Sequence, residues 1–203
     1  MIKNIVFDMG GVLTGFDPDE IGSHFCTSKD DIALLRKTIF DTELWAELDR
    51  GTIVEEDMIA PACKLLPERL HGCAQQLLLH WREYMTPLDE LVPLAQELHA
   101  AGYPLYLLSN AGKKMLSFTE KLPVLRLFSG ILFSAEVLMV KPEPGIYLEF
   151  FRRFSLKPEE CFFIDDMPEN IAAAARCGME GFRYGGEAAP LRTALKSAGV
   201  LTG

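Results

Sequence analysis

The run Ile5-Val6-Phe7-Asp8-Met9-Gly10-Gly11-Val12-Leu13 decides how the fold is read. Its first three residues are branched or aromatic with no polar alternation, which fits a strand buried on both faces. The strand stops on a carboxylate, Asp8, and turns at once through Gly10 and Gly11. Such a turn lets backbone approach a ligand closely at the edge where open α/β sheets bind their ligands.

Similar apolar runs recur at Tyr103 to Leu108, Gly130 to Phe133, Cys161 to Ile164 and Gly181 to Tyr184, with helical patterns between them. Leu88 to Ala100 and Gly145 to Phe154 carry their apolar residues at helical spacing, and Gly102 and Pro104 punctuate the step from the first of these to the next strand. Strands too apolar for a wet face, alternating with helices, predict an α/β doubly wound, Rossmann-like parallel sheet covered on both sides. From Phe16 to Tyr84 the pattern is helical and offers no convincing strand. We therefore expect a core of residues 1–15 and 86–203 and an all-helical cap, 16–85, inserted after the first strand, with Gly15 to Pro18 and Tyr84 to Leu88 as hinges.

Length and composition fit this reading. The chain has 203 residues, of which 49% are hydrophobic, enough for a buried core. Against 29 acidic residues stand 20 basic ones, a net charge of -9, and no basic run exceeds two residues. Nucleic acid and anionic membranes are thus excluded as expected partners, and any phosphate must be bound locally. The five cysteines show no C-x-x-C spacing, and neither a signal segment nor an apolar run of about 18 residues is present. A reducing, cytoplasmic setting is expected, with the protein a monomer or homodimer.

The expected chemistry sits at the strand ends. Asp8 follows the first strand, Ser109-Asn110 the second and Asp165-Asp166 the fourth, while Lys141 lies a short way beyond the third. In a parallel sheet these ends share one edge. Three carboxylates brought together resist ionisation unless a cation neutralises them, and Mg²⁺ suits carboxylates plus a phosphate.

The ordered set Asp8-x-Gly10-Gly11-Val12, Leu108-Ser109-Asn110, Lys141-Pro142-Glu143-Pro144 and Phe163-Ile164-Asp165-Asp166-Met167-Pro168-Glu169-Asn170 resembles the haloacid dehalogenase superfamily over nearly the whole chain. Together with Asp49-Arg50-Gly51-Thr52-Ile53 it is similar to the sugar-phosphatase branch typified by α-D-glucose-1-phosphate phosphatase. The resemblance implies a Mg²⁺-dependent phosphatase acting on a small phosphorylated metabolite, a sugar phosphate in that branch. By the same resemblance Asp8 would be the nucleophile and a metal ligand, and the Gly10 carbonyl a further ligand. Asp166 would bind the metal directly, with Asp165 supporting it, and amides near Gly10 and Gly11 would face phosphate oxygens. Ser109 and Asn110 would hydrogen-bond the phosphoryl group, Lys141 would neutralise charge, and Arg50 would lie in a specificity loop.

One position departs from the pattern. Most phosphatases of the superfamily have a second Asp two residues after the nucleophile, as general acid and base; here that residue is Gly10. Such help is typically worth about 10²–10⁴-fold. Thr14, Asp17 and Glu47 are candidate substitutes. The departure keeps two alternatives open, a metal-independent 2-haloacid dehalogenase and a low-activity binding or regulatory module. Trp45 and Trp81 are read as core side chains in preference to a sugar platform, and the four histidines show no metal-ligand spacing.

Overall fold

The first strand runs down the middle of the sheet. The computed structural model describes residues 1–201. Along the chain come β1 (Asn4–Phe7), the two-residue strands β2 (Thr14–Gly15) and β3 (Thr86–Pro87), then β4 (Leu105–Ser109), β5 (Phe128–Phe133), β6 (Cys161–Asp165) and β7 (Glu180–Arg183). Five of them form one sheet in the order β5-β4-β1-β6-β7, and every pairing in it is parallel. The chain builds outward from β1 on one side and then crosses to build on the other. The order therefore reverses at β1, where doubly wound sheets open a crevice at their carboxyl edge.

Alternation along the buried strands divides the core into two. Ile5, Phe7, Leu105, Leu107, Phe162 and Ile164 face one cluster; Val6, Tyr106, Leu108, Cys161 and Phe163 face the other. Five helices, α1 (Pro18–Ser23), α2 (Lys29–Ile39), α3 (Glu43–Arg50), α4 (Glu55–Leu65) and α5 (His71–His80), follow β2 before the chain returns at β3. Their buried residues, among them Leu35, Ile39, Leu48, Met58 and Leu77, are continuous with the first cluster. The expected hinges are tied together, because β2 pairs antiparallel with β3 through Thr14–Pro87 and Gly15–Thr86.

The remaining helices are α6 (Val92–Ala100), α7 (Ser134–Val137), α8 (Pro144–Phe154), α9 (Pro168–Arg176) and α10 (Ala188–Ser197). Leu94 and Leu98 of α6 and Leu191 and Leu195 of α10 cover one face; Ile146, Tyr147 and Phe150 of α8 and Ala173 of α9 cover the other. Helix α6 starts at Val92, later than the Leu88 expected from periodicity, because a 3₁₀ turn at Asp89–Leu91 precedes it and Pro93 suits the first helical turn. All five cysteines are free, and among the described residues no helix is long and apolar enough to cross a membrane.

Gly51 joins the helical insertion to the sheet domain. It ends α3 in the left-handed region at φ 82°, and a Cβ placed there would lie 2.6 Å from the Ala135 Cβ of α7. Gly51→Ala is expected to lose about 2–4 kcal/mol through strain and overpacking together, whereas Gly72→Ala, in α5 with nothing within 4 Å of its added Cβ, should gain roughly 0.5–1 kcal/mol. Urea melts of the two variants check this; equal midpoints would show that α3 and α7 are not in close contact in solution.

Candidate active site

Asp8 is held in place by the ladder it terminates. Its N–H donates to the Ile164 carbonyl at 2.8 Å, which sets the ends of β1 and β6 side by side. The turn that follows folds back on Met9, whose carbonyl accepts from the N–H groups of Leu13 and Thr14 at 2.8 and 2.9 Å and from the Thr14 hydroxyl at 3.2 Å. The left-handed residue of this turn is Gly11, at φ 70°, and not Gly10. A Cβ at Gly11 would meet Asp166 Oδ2 at 2.5 Å, while one at Gly10 would have nothing within 4 Å. Gly11 is thus needed for close approach to an acid, and Gly10 leaves open space beside Asp8.

A buried ammonium ties the edge together. Lys141 Nζ lies 2.8 Å from Asp8 Oδ1 and 2.7 Å from Asp165 Oδ2, with its side chain 1% exposed. The contact to Asp8 is an ion pair whose angle leaves Oδ1 without a hydrogen bond. Asp165 is fully committed: Oδ1 accepts from the Met167 N–H at 2.8 Å, and Asn170 Nδ2 reaches both oxygens at 3.0 Å. Oxygen atoms of Asp8, Asp165 and Asp166 all lie within 4.8 Å of one another, so three carboxylates cluster where one lysine pairs with two of them. That surplus of negative charge, with a buried Asp8 oxygen still lacking a donor, fits a hard divalent cation with oxygen ligands.

The electrostatics follow from this packing. Burial is the main cause that pushes the Asp8 carboxyl up, to about 6, with Lys141 opposing it and Asp165 adding to it. Burial also raises Asp166, and Asp165 raises it further. Lys141 is pulled down by burial, but Asp8 and Asp165 outweigh that and hold it above its ordinary value.

The residues at the other strand ends separate into two groups. Ser109 is buried and lines a cavity of about 160 Å³ with Asp8, Gly10, Asn110 and Lys141. Asn110 corrects the expectation of a phosphoryl ligand. Its Nδ2 donates to the Lys141 carbonyl at 2.9 Å and its Oδ1 accepts from the Lys141 N–H at 2.7 Å, so the side chain is used to position the lysine. Arg50 is a second correction: it makes a two-pronged contact with Glu143 at 2.7 and 3.0 Å and does not line the cavity. The guanidinium is more strongly satisfied by a fixed carboxylate than by an open loop.

The candidate substitutes for the missing acid are otherwise engaged. Thr14 closes the Met9 turn, Asp17 caps α1 by accepting from Asp19 and Glu20 N–H groups, and Glu47 accepts from the Thr52 hydroxyl and pairs with Arg50. The acid that does line the cavity was missed in the sequence: Asp49, at the last turn of α3. The residue keeps some surface, but its carboxyl end is enclosed, and burial followed by the charge of Asp8 pushes it up to about 7. The α3 terminus is fixed there because the Ser134 hydroxyl donates to the Asp49 carbonyl. The signal available in the sequence was its place directly before Arg50-Gly51, one residue from the arginine that drew attention.

Trp45 and Trp81 are buried, at 9% and 5% exposure, and both also form cavity wall, so core and site are here the same surface.

A family model described as haloacid dehalogenase-like hydrolase matches residues 2–178. A sesquiterpene phosphatase of Aspergillus oryzae is 28% identical over 183 residues, 88% of each chain. A D-ribitol-5-phosphate phosphatase of Bacteroides thetaiotaomicron is 26% identical over 194 residues, covering 90% of this chain and 92% of that one. Among solved structures, a HAD-like family hydrolase of Porphyromonas gingivalis superposes with a TM-score of 0.74 at 27% identity, covering 97% and 98% of the two chains.

The two neighbouring acids should separate experimentally. Asp165→Ala removes the partner of Lys141, Asn170 and the Met167 N–H and should cost about 3 kcal/mol or more of stability, whereas Asp166→Ala should change stability by less than about 1 kcal/mol and remove Mg²⁺ binding. Urea midpoints and calorimetric Mg²⁺ titrations read the two effects; equal stability losses would give the acids the same structural role.

Proposed function

The chain belongs to the haloacid dehalogenase-like hydrolase family, and on that premise we infer that it is a Mg²⁺-dependent phosphatase releasing phosphate from a small phosphorylated metabolite through an aspartyl-phosphate on Asp8. The observation that carries this reading is the ion pair of buried Lys141 with Asp8 beside two further carboxylates. A haloacid dehalogenase working without metal would set its anionic substrate against that uncompensated charge. Asp8, the Gly10 carbonyl and Asp166 would hold Mg²⁺, which supplies the neutralisation that lets a phosphate dianion approach. The sesquiterpene phosphatase and the D-ribitol-5-phosphate phosphatase span an apolar terpene and a sugar alcohol, so membership alone leaves the organic group open.

The residues divide the chemistry as follows. Asp8 attacks phosphorus and the ester P–O bond breaks, exchanging one hard displacement for two easier ones. Lys141 keeps Asp8 ionised beforehand and offsets charge on the phosphoryl group as the bond breaks. The Ser109 hydroxyl donates to a phosphoryl oxygen. Asp49 takes the part left vacant at Gly10: its carboxyl, protonated near neutral pH, gives its proton to the leaving alkoxide. As a carboxylate it then takes a proton from the water that attacks the aspartyl-phosphate. Asp8 is regenerated and inorganic phosphate leaves. An enclosed carboxyl lifted towards neutral pH by burial suits general acid-base catalysis.

Two tests follow. Asp8→Asn should abolish turnover in the presence of Mg²⁺ while leaving the melting curve in place, and substantial residual activity would take the nucleophile role from Asp8. Asp49→Asn should slow single-turnover cleavage of an alkyl phosphate by about 10² or more, yet leave the first turnover of nitrophenyl phosphate, whose leaving group needs no proton, within a few-fold. An equal loss on both esters would remove Asp49 from proton transfer. Because Gly10 has neither a positive φ nor a neighbour within 4 Å of an added Cβ, Gly10→Asp should fold and restore alkyl-ester cleavage to Asp49→Asn.

A further inference from the structure

We propose that the organic group of the substrate is apolar, an aryl or short branched-alkyl residue, held by the aromatic and methionine wall that faces the phosphate end of the cavity. The inference rests on the phosphatase reading and specifies the ester taken at that same site.

Away from Asp8, Gly10, Ser109 and Lys141 the wall consists of Phe16, Trp45, Trp81, Met85, Met115 and Met167. Four polar side chains interrupt it: Asn110, hydrogen-bonded to the Lys141 backbone, Asn170, hydrogen-bonded to Asp165, the Asp49 carboxyl, and the Trp81 indole, whose N–H is buried without a hydrogen-bond partner. The aromatic rings pack on one another: Phe16 and Trp45 are 5.8 Å apart, and Trp81 stands edge-on to both at 5.8 and 5.0 Å. No two of the three rings are coplanar, so they do not form one flat platform for a sugar ring, while the thioethers supply a soft surface that moulds to an irregular hydrocarbon.

A polyol phosphate has too few partners here. A five-carbon sugar-alcohol ester brings four free hydroxyls; the wall offers two polar groups not already hydrogen-bonded within the protein, one of them the acid assigned to proton transfer. Each hydroxyl stripped of water and left without a partner costs on the order of tenfold in affinity. A hydrocarbon group incurs no such loss and gains from leaving water. This departs from the sugar phosphate implied by the sequence resemblance, because, of the six aromatic and methionine side chains of the wall, only Met167 lies in the motifs that carry that resemblance.

The test is the full chain with Mg²⁺, assayed for kcat/KM on 3-methylbutyl phosphate and benzyl phosphate against ribitol 5-phosphate and glycerol 3-phosphate. All four release a primary alcohol, and the neighbouring hydroxyls of the polyols make them the slightly better leaving groups, a bias against the proposal. The apolar esters are expected to be favoured over ribitol 5-phosphate by at least about 100-fold, from two unpartnered hydroxyls, and over glycerol 3-phosphate by less, chiefly through KM. Trp45→Ala should reduce that ratio at least tenfold, and the smaller change Met115→Gln should reduce it in the same direction. Polyol esters turned over as well as the apolar ones, or a ratio that neither variant moves, would overturn the inference while leaving the phosphatase reading intact. A parent protein inert towards all four esters would overturn both.

Discussion

A buried lysine between two aspartates organises this molecule. Lys141 reaches the edge from the loop beyond β5, and its ammonium lies within 2.8 Å of Asp8 and 2.7 Å of Asp165. An ammonium taken out of water is costly unless it is closely paired, and breaking such a pair leaves an uncompensated charge. The surroundings hold it in place accordingly. Asn110 fixes the lysine's backbone from both sides, Asn170 and the Met167 N–H fix Asp165, and the Tyr147 hydroxyl in turn fixes the Asn170 carbonyl. Residues from the ends of three strands and two helices thus have one arrangement. That arrangement leaves Asp8 as the least satisfied member, with one buried oxygen lacking a donor.

The helical insertion acts on this edge through α3. Trp45 and Asp49 lie one turn apart on it, so a single helix presents both a wall and an acid to the cavity. Arg50 and Gly51 then clamp the helix end, the arginine to Glu143 and the glycine against Ala135. In the proposed account the insertion supplies what the nucleophile turn lacks. An Asp two residues after Asp8 would carry its proton donor on the core; with Gly10 there, the donor and the surface that selects the organic group arrive together on one element.

The fold was largely legible because its signals are local. Five apolar runs and the helical patterns between them define a doubly wound sheet, and the order of the motifs puts Asp8, Lys141, Asp165 and Asp166 on one edge. Contacts that depend on which way a side chain turns were not legible. Asn110 looks like a phosphate ligand until the loop beyond β5 is seen to bring the Lys141 backbone against it. Arg50 looks like a substrate contact until Glu143, 93 residues away, is seen to hold it. Asp49 is an ordinary helical acid in sequence, and its enclosure arises only from the docking of α3. Gly10 and Gly11 are equivalent as letters, but only Gly11 adopts the left-handed conformation and faces an acid.

The central claim is that Asp8 carries the phosphoryl group. Acid quenching of Asp49→Asn within the first turnover of nitrophenyl phosphate, followed by proteolysis and mass spectrometry, tests it most directly, because the slowed second step lets the intermediate accumulate. The expected result is the mass of one phosphoryl group on the peptide containing Asp8, stable in acid and released by hydroxylamine. Nitrophenol released in the same interval with no modification at Asp8, or with the phosphoryl group on another residue, would contradict it.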